Sequence, residues 1–138
     1  MKLSISEILK KASQGATDQD RANALRAHDT VPLRQVLWVA LDPRVKWLLP
    51  EGNPPYRPCD LVDQQHRLFT EARKFYLFLE GGNPNLKQLR REALFIELLE
   101  SLDPEDAKLV LAAKDKKIPY PGITIEVVNL AFPGLIDT

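Results

Sequence analysis

The sequence predicts an all-α fold: a compact, irregular bundle of seven or eight helices in one domain, residues 1–138. Three observations carry that expectation. Helix-start signals recur along the whole chain, at Ser4, Thr17, Thr30, Asp42, Asn83 and Asp103, several with proline in the next two positions. Apolar residues between them repeat at three- and four-residue steps. The only β-like run, Ile123-Thr124-Ile125, is too short to find a pairing partner.

The elements follow in order. Ser4 and Glu7 make a capping box for a first helix whose Ile5, Ile8, Leu9 and Ala12 share a face, ended by Gly15. Thr17 opens a short second helix with Ala22 and Leu25 inward. Thr30 and Pro32 open a third. Its body, Leu33 to Leu41, is apolar on nearly every side, so it belongs at the centre. Asp42-Pro43 reads as a fresh start for a short helix 43–49 carrying Trp47, Leu48 and Leu49. Residues 50–58, PEGNPPYRP, hold four prolines and form an ordered surface loop. The longest helix is expected over 61–80, with Leu61, Leu68, Ala72, Phe75, Tyr76 and Leu79 as its stripe and Gly81-Gly82 as its stop. The next spans 84–102, with Leu86, Leu89, Ala93, Ile96, Leu99 and Leu102 inward. Asp103-Pro104 begins a helix 104–113, and Thr124 caps a final short one.

Composition narrows the class. At 138 residues with 44% apolar and 28% charged side chains, the chain can bury a real core and is not disordered. No apolar run approaches the roughly 18 residues a bilayer span needs, and MKLSISEILKKAS is too charged for a secretory signal, so no membrane is expected. A lone thiol, Cys59, fits a reducing cytoplasmic setting. The 19 basic and 19 acidic residues cancel, which argues against a generic polyanion sponge. Their distribution is uneven: residues 1–58 carry nine basic and six acidic side chains, and 59–138 carry ten and thirteen.

No catalytic constellation is visible. His28 and His66 lack ligand spacing, there is no glycine-rich phosphate loop and no nucleophile elbow, and Cys59 has no triad context. The expectation is a non-enzyme with no cofactor, no metal and no small-molecule substrate. The candidate binding feature is a basic loop. Lys114, Lys116 and Lys117 precede Ile118-Pro119-Tyr120-Pro121-Gly122, and Thr124 follows. Lysine suits phosphate as a flexible point charge, Gly122 permits close backbone approach, and the helix that Thr124 opens has free N–H groups for an anion. The alternative is that these ammonium groups cap a helix C-terminus. Arg21, Arg26, Arg34, Arg44, Lys46 and Arg57 form a looser basic set, open to the reading of a solvated surface. Tyr56 and Tyr120, in proline-rich loops, stack on bases or pack against their own domain. The terminal AFPGLI, residues 131–136, reads as a helix end folding back onto the core.

Taken together, the opening SEILKKAS, the polar DRANALRAH, the apolar LRQVLWVALDPRVKWLLP, the two long helices, and DAKLVLAAKDKKI followed by a glycine turn, an Asn129-bearing helix and FPGLI resemble the N-terminal DNA-binding domain of phage-type ATP-dependent DNA ligases. The chain is similar to that domain as a small stand-alone protein of tailed phages. The resemblance implies a ligase DNA-binding-domain-like fold and contact with double-stranded DNA, mostly with phosphates and with little sequence preference, through Lys114, Lys116, Lys117, Gly122 and Thr124, with Arg44 and Lys46. It does not imply ligation: Lys114-Asp115-Lys116-Lys117 lacks the Lys-x-Asp-Gly order that carries an adenylate, and the sequence reaches Thr138 where a nucleotidyltransferase domain would start. The setting implied is a host-cell cytoplasm. An adaptor for a phage or host protein, or a virion or assembly component, are the alternative expectations.

Overall fold

The computed structural model describes residues 3–136. Among them the fold is all-helical: α1 (Ile5–Ser13), α2 (Asp18–Arg26), α3 (Val31–Leu41), α4 (Arg67–Glu71) running into a 3₁₀ segment (Ala72–Phe78), α5 (Gln88–Ser101), α6 (Pro104–Lys114) and α7 (Ile125–Ala131). Five N-terminal caps fall where the sequence places them, while Asp42 and Asn83 open no helix. Ser4 and Glu7 form a reciprocal capping box, while Thr17, Thr30, Asp103 and Thr124 each accept a backbone N–H in the first turn of the helix they start.

The apolar helix α3 is the centre of the bundle. Leu33, Val36, Leu37, Val39 and Ala40 are buried, and α6 and the 3₁₀ segment pack against it. Helix α1 joins α2 to α6, α2 carries α7, and α5 closes the other side on α6 and the 3₁₀ segment. An aromatic cluster fills that second side. Phe78 and Phe95 meet edge to face at 5.2 Å, and Trp47 stacks along Phe78 at 6.5 Å.

Three expected elements take another form. The helix over 43–49 is absent. The Asp42 carboxylate accepts the Arg44 N–H at 2.8 Å, which turns the chain, and Trp47 then forms an isolated antiparallel bridge with Leu79. The helix over 61–80 begins only at Arg67. Asp63 adopts a left-handed conformation, φ 62°, that breaks any helix there, and Leu61 stays exposed. Beyond Glu71 the helix tightens. Its buried residues, Ala72, Phe75 and Phe78, recur every three positions, and a 3₁₀ turn stacks i over i+3. This turns Tyr76 outward and brings Phe78 in. The helix over 84–102 starts at Gln88. The Arg91 guanidinium, almost fully buried, holds the carbonyls of Leu77, Asn83 and Leu86, which fixes the preceding residues as a loop. The buried face of α5 is accordingly Arg91, Phe95, Leu98 and Leu99 rather than Leu89, which is 83% exposed.

Candidate anion-binding groove

Helix α6 ends in a Schellman motif. The Lys117 N–H reaches back to the Ala112 carbonyl and the Lys116 N–H to Ala113, both at 2.9 Å. The left-handed position this motif requires is usually glycine. Here it is Lys116, with φ 63°. The unusual conformation aims its side chain across the domain, where the ammonium donates to the carbonyls of Val39, at 3.2 Å, and Asp42, at 2.6 Å. These are the last carbonyls of α3 and its cap, and the Trp47 indole N–H also donates to Val39, at 2.9 Å. Lys116 thus places a cation at the negative end of the central helix. Burial holds its ammonium below the ordinary lysine range, against a counter-pull from Asp42.

Lys114 is more deeply committed. Its side chain is 2% exposed and donates to the Pro50 carbonyl at 2.9 Å and to Asp115 at 2.7 Å. It fastens the proline-rich loop to α6. Lys117 and Lys46 are exposed and make no ion pair among the described residues. All four lysines, Lys46, Lys114, Lys116 and Lys117, line one open groove of about 710 Å³, with Glu51 and Asp115 interleaved among them. Residues 68 positions apart or more in the chain therefore meet, because Lys116 is bonded to the Asp42 carbonyl and Lys114 to the Pro50 carbonyl, on either side of Lys46 in the sequence.

The other candidates lie elsewhere in the fold. Arg44 is turned onto the buried Asp42 carboxylate, 3.1 Å away. Gly122 has φ 92°, and a Cβ there would sit 2.7 Å from the Arg21 side chain, so its absent side chain makes room for α2. Thr124 caps α7 by accepting the Val127 N–H at 3.2 Å, and at seven residues α7 is a short helix. None of these three lines the groove. Other arginines of the first half, though at the surface, are likewise engaged by partners within the chain. Arg26 donates to the Leu130 and Ala131 carbonyls at the end of α7, and Arg34 makes a two-pronged pair with Asp29 and lies over the Phe132 ring. Tyr56 and Tyr120 are partly buried against the core. The terminal FPGLI folds back as expected: Phe132 and Ile136 are buried, and the Asn129 amide exchanges two hydrogen bonds with the Ile136 backbone, at 3.1 and 3.0 Å.

Two features were invisible in the sequence. One is the Lys116 link to α3, whose only hint is a non-glycine residue where a helix must stop. The other is Asp106, fully buried in α6, whose Oδ1 accepts the Ser6 N–H at the start of α1 at 3.0 Å while Oδ2 has no partner. Among the described residues, no helix is long and apolar enough to cross a membrane, and no three His, Cys, Asp or Glu side chains gather as a metal site.

Residues 8–120, most of the chain, match DUF6433, a family of unknown function. The chain belongs to this family. The match takes in α2 to α6 and both walls of the lysine groove, so the groove lies inside the region by which DUF6433 is defined. No curated protein and no solved structure matches this DUF6433 chain.

Proposed function

We propose that this DUF6433 protein is a non-catalytic, DNA-associated protein that takes the phosphate backbone of double-stranded DNA into the lysine groove. The observation that carries the reading is the convergence of Lys46 and Lys117, both exposed and unpaired, beside the ammonium groups of Lys114 and Lys116. The resemblance of the last third of the chain to the ligase DNA-binding domain supports it, as a phage-type protein in a host-cell cytoplasm. Two committed lysines and two interleaved carboxylates make the contact weak and dependent on backbone alone, with little sequence preference.

Titration of a fluorescent duplex at low salt tests the reading. Absence of binding at tens of micromolar removes it. With two free cations at the groove, log affinity should fall with log salt at a slope of about −2, one unit or slightly less per phosphate. Lys46→Glu with Lys117→Glu should abolish binding for every sequence while leaving the thermal melt unchanged.

A second reading, a protein–protein adaptor, rests on a different face. A groove of about 320 Å³ beside α3 and the 3₁₀ segment is lined by Trp38, Arg73 and Tyr76, the residue types that dominate binding energy at interfaces. A partner recovered from nuclease-treated lysate by the wild type, and lost with Tyr76→Ala, favours the adaptor.

A further inference from the structure

The lysine groove does not end at its lysines. Beside it lies a second space of about 310 Å³, walled by Leu49, by Pro54 and Pro55 of the proline-rich loop and by Phe95 and Ile96 of α5. Leu49, Glu51, Gly52 and Lys114 border both spaces, so the two adjoin along one stretch of backbone. The apolar slot is at the small end of ligand pockets, which run from about 300 to 1,000 Å³. It is held open from below by the Lys114 ammonium, whose bond to the Pro50 carbonyl fixes the loop at a set distance from α6.

We propose that the slot and the groove together hold one unpaired nucleotide, the base in the slot and its phosphates on Lys46 and Lys117. This rests on the DNA-backbone reading above and deepens it. Charge and shape select the occupant. An occupant of both spaces must join a compact apolar body to an anionic group, and a nucleotide has that division. A base offers two apolar faces to Pro54, Pro55 and Ile96. Its polar edge meets the Glu92 carboxylate at the slot wall, which accepts from an exocyclic amino group. Glu51, at the boundary, repels phosphate from the slot and leaves it on the lysine side. A base that is stacked and paired within a duplex cannot enter. The protein therefore selects DNA at a flap, gap or frayed end, where a base is already free of its partner.

The test compares two labelled probes by fluorescence anisotropy with the intact chain: a duplex whose two ends are closed by hexaethylene glycol linkers and which has no unpaired base, and the same duplex with a short unpaired adenine flap. The flap should bind about tenfold more tightly, the lower range of what stacking one base contributes. Ile96→Asn, which adds no charge beside the groove, should erase that advantage and leave closed-duplex affinity unchanged. Pro55→Gly, on the exposed side of the loop, should do the same without touching the core. Equal affinity for the two probes overturns the inference and leaves the backbone reading standing. No binding of either probe overturns both. A flap of abasic residues that retains the advantage, or polyglutamate that displaces the flap as well as an oligonucleotide of equal charge, also overturns it.

Discussion

Replacing Asp106 by asparagine should change how the stability of this protein depends on pH. The Asp106 carboxyl is wholly removed from solvent, with Oδ1 on the Ser6 N–H and Oδ2 without a partner. Burial therefore favours the neutral acid and pushes its pKa from 3.8 to about 6, against the lowering effect of the Ser6 bonds and with help from the charges of Asp103 and Glu7. Tyr120, the remaining titratable neighbour, has its hydroxyl pushed up by burial and is neutral throughout this range. Between pH 3.8 and 6 the folded chain holds a proton that the unfolded chain has released. Stability contributed by this group is complete below pH 3.8, falls as pH rises through the window, and is gone above pH 6. At about 1.4 kcal/mol per pH unit, the loss across the window is about 3 kcal/mol. Asparagine keeps an acceptor for the Ser6 N–H and cannot ionise. The stability of Asp106→Asn minus that of the wild type should therefore grow by about 3 kcal/mol between pH 4 and pH 7. Urea unfolding followed by far-ultraviolet circular dichroism at pH steps across this range reads the difference directly. Glu7 and Asp29, whose carboxyls are held below their usual range by Ser4 and Arg34, give the opposite trend in both proteins and cancel. A difference that stays flat from pH 4 to pH 7 would refute the burial argument.

Two further substitutions test the links between distant segments. Lys116→Met removes the cation from the Val39 and Asp42 carbonyls and should cost about 2 kcal/mol in chemical denaturation. Lys116→Gly loses the same bonds but relieves the left-handed backbone, so it should be more stable than the methionine variant by about 1 kcal/mol. Arg91→Met leaves the Leu77, Asn83 and Leu86 carbonyls without their donor, and should lower stability by about 3 kcal/mol and speed amide exchange across residues 79–87.

The sequence was legible wherever a local rule governs. Caps at Ser4, Thr17, Thr30, Asp103 and Thr124 depend on a side chain and a backbone N–H two or three residues away, so short-range pattern is enough. The central place of α3 followed from its apolar surface alone. Pattern failed where a distant contact decides. Asp42-Pro43 looks like a helix start, but Trp47 is drawn into a bridge with Leu79, 32 residues on. Likewise Ala72, Phe75 and Phe78 fit a 3.6-residue period loosely and a three-residue period well, and the aromatic cluster with Phe95 chooses the second. For the groove, spacing along the chain put Lys114, Lys116 and Lys117 together and could not say that two of them answer carbonyls of other segments. It likewise could not tell Lys46, free beside them, from Arg44, which is tied to Asp42.

The Lys116 bridge to α3 also bears on how the chain reaches its fold. The carbonyl end of the central helix is completed by a side chain 77 residues further along. Until α6 has formed and docked, that end has only the Trp47 indole N–H and water to meet its carbonyls, and it frays. The helix with the most apolar surface is therefore the one that waits for the last third of the sequence. Such a dependence links the two halves into one cooperative transition and lengthens the loop that must close before the core is secure. A chain cut after residue 102 should accordingly behave as a collapsed, slowly aggregating species, and adding back residues 103–136 as a separate peptide should restore a sharp melt.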